Sequence, residues 1–186
     1  MPRYNARMHR ADKLSDNIFL VGLMGAGKTT IGRQLARRLK LRFVDSDQEI
    51  EARTGVHIPL IFEIEGEEGF RKREAQVLAE LTQERGLVLA TGGGAVLDAG
   101  NRANLAANGL VVYLSVAPTL LWERLRQDRS RPLLRVADPL AKLQALHAQR
   151  DPLYREVADL VIEGGADSSY HLAKTLERQI QARSAA

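Results

Sequence analysis

A chain of 186 residues with 45% hydrophobic and 27% charged side chains has the size and composition of one folded domain, which excludes a disordered, collagenous or membrane-spanning polypeptide. The formal charge of +4 divides unequally into 21 Arg and 6 Lys, favouring forked recognition of carboxylate or phosphate, while aromatics at 5% weigh against a base-stacking surface. The absence of Cys excludes disulfides, thiolate nucleophiles and Cys-held metals, and His57, His147 and His171 show no metal-ligand spacing.

In chain order, residues 1–16 carry Arg3, Arg7, Arg10 and Lys13 but no apolar core. They are expected to be a flexible basic extension rather than a secretory signal, and the protein to be cytoplasmic. Residues 17–186 are expected to form a single α/β domain. Asn17 to Val21 reads as the first strand, followed by a glycine-rich turn. Lys28 to Leu39 then sets Ile31, Leu35 and Leu39 at four-residue spacing, an apolar helical stripe. Arg42 to Val44 reads as a second strand. Residues 47–84 show several helical patterns and no clear strand, which predicts a helical insertion. Leu87 to Ala90, Leu110 to Leu114 and Asp159 to Ile162 complete five strands of a mainly parallel sheet. Helices are expected over Pro139 to Val157 and Tyr170 to Arg183, with an irregular Arg- and Pro-rich segment from Arg126 to Ala137.

The turn after the first strand, Gly22-Leu23-Met24-Gly25-Ala26-Gly27-Lys28-Thr29, has the spacing G-x-x-x-x-G-K-[ST] between strand and helix. Such a loop turns backbone N–H groups toward phosphate oxygens and adds the positive end of a helix. Lys28 is placed to reach the β- and γ-phosphates, and the Thr29 hydroxyl to ligate Mg²⁺. No N-K-x-D guanine-reading motif is present, so the triphosphate is expected to be ATP.

Asp45-Ser46-Asp47 follows the second strand, at the sheet edge where ligands of such folds bind. Alternate strand residues face the same way, so Asp45 and Asp47 can share one site: one carboxylate supporting a metal's water shell, the other orienting or deprotonating an acceptor hydroxyl. On spacing alone Asp47 serves equally as the cap of the next helix. Arg71 and Arg73 can likewise be read as solvated helix charges pairing with Glu67 or Glu68, and Arg124 to Arg135 as a basic surface loop. Three successive glycines, Gly92 to Gly94, are costly in chain entropy and point to a close backbone approach.

The ordered series G-L-M-G-A-G-K-T-T-I-G, V-D-S-D, G-F-R-K-R-E, T-G-G-G, R-P-L-L and R-D-P-L-Y resembles shikimate kinase from Gly22 to at least Val157. The resemblance implies a P-loop three-layer α/β/α sandwich with a helical substrate-binding region (47–84) and a mobile lid (about 124–137). It implies transfer of the ATP γ-phosphoryl group to the 3-hydroxyl of shikimate, in aromatic amino-acid biosynthesis. It further implies that Gly25, Ala26, Gly27, Lys28, Thr29, Thr30, Arg124 and Arg131 bind ATP. The residues implied for shikimate are Asp47, Arg71, Gly92, Gly93, Gly94 and Arg150, with Glu74 positioning Arg71. Catalysis would fall to Lys28, Asp47 and Arg131, and one Mg²⁺ to Thr29 and, through water, Asp45. A monomer is expected, with no nucleic-acid or membrane partner. The alternatives are a P-loop kinase for another hydroxylated metabolite such as gluconate, a nucleic-acid-binding P-loop module, and an ATP-binding protein without transfer activity.

Overall fold

A computed structural model describes residues 17–165 and 167–184, so the expected extension 1–16 lies outside the described residues. Five strands, β1 (Asn17–Val21), β2 (Arg42–Asp45), β3 (Leu87–Ala90), β4 (Leu110–Val116) and β5 (Leu160–Gly164), form one sheet in the order β2-β3-β1-β4-β5. All four pairings are parallel. A parallel sheet is covered on both faces, and β1, β3 and β4 are accordingly buried along their whole length, as continuous apolar runs predict.

Among the described residues seven α-helices accompany the sheet: α1 (Lys28–Leu39), α2 (Ser46–Thr54), α3 (Ile58–Leu81), α4 (Ala99–Asn108), α5 (Pro118–Leu125), α6 (Pro139–Val157) and α7 (Ser169–Ser184). Ile31 and Leu35 of α1 are buried, each stabilising the fold by about 1.5–3 kcal/mol relative to exposure. The helical insertion is α2 and α3, and Gly66 (φ 69°, ψ −178°) breaks α3 near its middle. That break brings Glu65 back against Arg73 at 2.6 Å, so Arg73 pairs there and not with Glu68, which meets Lys72 instead.

Several boundaries differ from those read in the sequence, each for a local reason. The strand expected from Asp159 begins at Leu160, because Asp159 clamps Val111 from outside the ladder: its N–H donates to the Val111 carbonyl at 2.8 Å and its Oδ2 accepts from the Val111 N–H at 3.0 Å. Strands β2 and β4 run past their apolar stretches, to Asp45 and Val116. Helices α4 and α5 carry little sequence signal. The first is capped by the Asp98 carboxylate, which accepts from Asn101 N–H at 2.8 Å, and the second starts on Pro118, whose fixed φ suits a first helical turn. The segment between α5 and α6 is irregular as expected, apart from a 3₁₀ turn at Pro132–Leu134.

Candidate active site

The site lies at the carboxyl ends of β1, β2 and β3, where a cleft of about 930 Å³ opens between the glycine-rich loop, α2, α3, the 91–94 loop and the lid segment. Its nucleotide-loop side is set by backbone geometry. Gly27, at φ 97°, turns the chain into α1 through a left-handed conformation that a side chain would resist. Lys28 follows as the first helical residue, and its Nζ donates to the carbonyls of Gly22 (2.6 Å) and Leu23 (2.8 Å). Burial lowers its pKa to about 8, with Arg131 and Arg150 pushing the same way and the Asp47 and Asp45 carboxylates opposing.

Thr29 Oγ1 donates to Asp45 Oδ2 at 2.6 Å. The other Asp45 oxygen accepts from the N–H groups of Asp47 (3.0 Å) and Gln48 (3.2 Å), so Asp45, not Asp47, caps α2. The two carboxylates share the cleft as expected, but not by strand alternation. The helix begins at Ser46, and Asp47 reaches the cleft from its first turn. The two charges are nevertheless close enough to couple. Burial first, then the Asp45 charge, raises the Asp47 pKa to about 6, against the pull of Lys28, Arg131 and Arg71. Thr29 and Asp45 together present hard oxygen donors, and among the described residues no cluster of three or more His, Asp or Glu gathers to hold a metal. This sparse donor set fits Mg²⁺, which usually keeps several waters and takes one or two protein oxygens beside nucleotide phosphates.

The opposite wall is cationic. Arg71 on α3 donates to Glu74 Oε1 at 2.8 Å and to Glu67 Oε1 at 3.1 Å, with its guanidinium 5.1 Å from the centre of the Phe70 ring. The solvated-pair reading of Arg71 is thus half right: Glu67 is its exposed partner, while Glu74 is fully buried. Burial pushes the Glu74 pKa up to about 7, Arg71 drawing it down and Asp47 adding to the rise. Arg150 on α6 is only 2% exposed, yet its Nε and Nη1 find no hydrogen-bond partner among the described residues; neither do Arg71 Nε, Glu74 Oε2 and Asp47 Oδ1. Buried polar atoms are normally satisfied, so this concentration of unused donors and acceptors in one cleft marks a place prepared for a polar ligand.

Two of the three glycines, Gly92 and Gly94, owe their identity to these same side chains, and Gly93 to the Met24 backbone 3.2 Å from where its Cβ would stand. A Cβ on Gly92 would stand 2.6 Å from Glu74 Oε2 and 2.9 Å from Asp47 Oδ1, and one on Gly94 would collide with the Arg71 guanidinium. The close approach expected from the sequence is therefore made by the protein's own charged groups. Gly94 has an ordinary φ of −95°, so a Gly94→Ala chain should fold and displace only the flexible end of Arg71. We expect that variant to raise the KM for a carboxylate-bearing acceptor about 10-fold, with the ATP KM unchanged and the melting temperature within a few degrees, as steady-state kinetics and thermal denaturation would report.

Arg124 donates to the carbonyls of Gly25 and Gly165, both at 3.1 Å, bridging the nucleotide loop and the turn after β5. Arg131 lines the cleft from the lid, its Nε donating to Asp128 Oδ2 at 3.0 Å, while Asp128 Oδ1 accepts from the Ser130 N–H at 2.8 Å and hydroxyl at 2.5 Å. Of the residues expected in the site, all line this cleft except Ala26, whose side chain is in the core and whose N–H donates to Leu23. Missed from the sequence were Phe62 and Phe70, whose rings pack with centroids 4.9 Å apart and planes tilted by 36° on the cleft wall. Phe70 could have been suspected from its place directly before Arg71.

The shikimate kinase family model matches residues 24–181. This chain belongs to the shikimate kinase family. A shikimate kinase of Dechloromonas aromatica is 68% identical over 148 residues, covering 80% of this chain and 81% of its own. One from Aromatoleum aromaticum is 60% identical over 164 residues, covering 88% and 94%. Among solved structures, shikimate kinase from Acinetobacter baumannii in complex with shikimate matches with a TM-score of 0.89 at 51% identity, over 94% of this chain and 97% of that one.

Proposed function

We propose that this member of the shikimate kinase family transfers the γ-phosphoryl group of ATP to the 3-hydroxyl of shikimate, giving shikimate 3-phosphate and ADP for aromatic amino-acid biosynthesis. The observation that carries the acceptor's identity is the cationic wall. Arg150, buried with two unpartnered nitrogens, and Arg71, held by Glu74, suit a small carboxylate, and Asp47 lies between them and the nucleotide loop for a ring hydroxyl. A coupled ADP-release assay over shikimate, gluconate and other hydroxy acids tests this. Shikimate-dependent turnover is expected, and its absence from folded, ATP-binding protein overturns the proposal.

In the proposed mechanism the loop N–H groups and the start of α1 hold the triphosphate, and Lys28 exchanges the Gly22 and Leu23 carbonyls for phosphate oxygens. Thr29 and Asp45 would hold Mg²⁺, which would supply positive charge to neutralise the phosphates of bound ATP. Arg71 and Arg150 clamp the acceptor carboxylate and fix the ring. Asp47 accepts the hydroxyl proton as that oxygen bonds to the γ-phosphorus, while the bond to the β-phosphate oxygen breaks and ADP departs. Arg131, released from Asp128 as the lid closes, meets the charge spread over the transferring oxygens. Every group named comes from one chain, which supports a monomer as the working unit. No helix among the described residues is long and apolar enough to cross a membrane, and we take the site of action to be the cytoplasm.

The raised carboxylate pKa values predict opposite pH trends for activity and stability. Asp47 must be ionised to accept a proton, so kcat/KM for shikimate should fall as pH drops below about 6. Stability should move the other way. Asp47 and Glu74 ionise near 6 and 7 in the folded protein but at about 4 as exposed carboxyls of the unfolded chain, so across that window the folded state holds protons the unfolded chain has lost. Their contribution to stability is therefore greatest below about pH 4 and declines as pH rises to 7. Denaturant titrations at pH 5 and pH 7 on wild type and on an Asp47→Asn, Glu74→Gln double variant would reveal it as a slope that the double variant loses.

A further inference from the structure

We propose that Tyr154 is a positioning residue that locks Arg150 and the Gly93 peptide into one unit, so that the carboxylate-binding arm and the backbone beside it keep a fixed spacing. This rests on the acceptor reading above. Tyr154 lies one helical turn after Arg150 on α6, fully buried, and its hydroxyl donates to the Gly93 carbonyl. The Arg150 guanidinium lies close enough to the phenol to oppose the rise in its pKa. Gly93 in turn sits against both partners of the reaction: a Cβ placed there would lie 3.7 Å from Arg150 Nη1 and 3.2 Å from Met24 N in the nucleotide loop. Any rotation of this peptide therefore alters the space between the arginine and the phosphates.

The tyrosine is itself fixed from behind. Its ring stacks on Tyr113 of β4 at 4.9 Å, and the Tyr113 hydroxyl donates to Oδ1 of Asp151, the residue following Arg150, at 2.8 Å. Asp151 and Tyr154, both following Arg150 on α6, are thus tied to the same residue of strand β4. Burial raises the phenol pKa far above its ordinary value, so the hydroxyl remains a donor throughout the working range. On the other side of the loop Ser46, fully buried, accepts from the Gly92 N–H at 3.1 Å, and Thr91 donates to the Leu20 carbonyl from its hydroxyl at 2.9 Å. Gly93 is the member of this loop whose carbonyl is held by a side chain from the helix carrying Arg150, which is why the coupling is assigned to Tyr154.

Tyr154→Phe keeps the ring and its stacking and removes only the hydroxyl. Its shikimate KM should rise about 10-fold, with the ATP KM within about twofold and the melting temperature lowered by only several degrees, as one unmade buried hydrogen bond costs. In an Arg150→Met background the same substitution should add little, because the residue it positions is gone. Equal rises in both KM values, a fall in melting temperature that accounts for the lost activity, or full additivity with Arg150→Met would each overturn the proposal by assigning the hydroxyl to the fold. Wild type that turns over shikimate alongside a Tyr154→Phe enzyme of equal KM overturns this inference alone. Wild type inert toward shikimate overturns the acceptor reading and this inference with it.

Discussion

Asp47→Asn should lower kcat about 10³-fold while leaving ATP affinity intact, since a general base contributes roughly 10²–10⁴ in rate. The substitution keeps the side chain's shape and removes only the capacity to take up a proton. Asp47 makes no contribution to the cap of α2, which belongs to Asp45, so the helix that carries it should be undisturbed. Its burial beside another carboxylate already disfavours the charged form, and the melting temperature at pH 7 should therefore hold or rise. Isothermal calorimetry with ATP, single-turnover kinetics and thermal denaturation on the same preparation would check all three parts. Activity within about tenfold of wild type would remove Asp47 from the proton transfer and leave it only a role in orientation.

The second large effect is expected at Arg150. Arg150→Met should raise the shikimate KM about 100-fold, the loss expected when one partner of a buried, hydrogen-bonded charge pair is truncated by about 3 kcal/mol. The instructive part is the stability. Nε and Nη1 of this guanidinium have no hydrogen-bond partner among the described residues, so a flexible apolar side chain of similar length relieves a burial that is only partly compensated. We expect a melting temperature unchanged or higher, measured together with acceptor kinetics. A marked fall in stability with little change in KM would make Arg150 a structural residue and leave Arg71 as the sole carboxylate ligand.

What the sequence could disclose depended on how local each feature is. The nucleotide loop is a continuous stretch from Gly22 to Thr29 whose glycines, lysine and threonine do their work within one turn, so strand, loop and helix were legible together. The role of Asp45 was legible only in part. Its place at the end of a strand was right, but a helix starting at Ser46 replaced strand alternation with a cap, a choice settled by Thr29 arriving from another element. Gly92 to Gly94 announced a close approach without naming what approaches, because Arg71 and Glu74 reach the loop from α3, some twenty residues earlier in the chain. Phe62 was invisible for a related reason, and Phe70 was marked only by its place before Arg71: the break at Gly66 and the packing of α3 decide which aromatic faces the cleft. Helix α4 was missed because its alanines and asparagines form no sustained apolar stripe and its start depends on the Asp98 cap.

The double engagement of Asp45 carries a consequence for anyone redesigning this enzyme. One oxygen braces the threonine of the glycine-rich loop while the other sets the first turn of the helix that carries Asp47, the proposed proton acceptor. Nucleotide preference and acceptor preference are thus not independently tunable at this position, because every replacement perturbs both at once. Directed evolution toward a new hydroxylated acid should find its freedom along α3 and the lid, and leave this carboxylate as the fixed pivot between the two halves of the reaction.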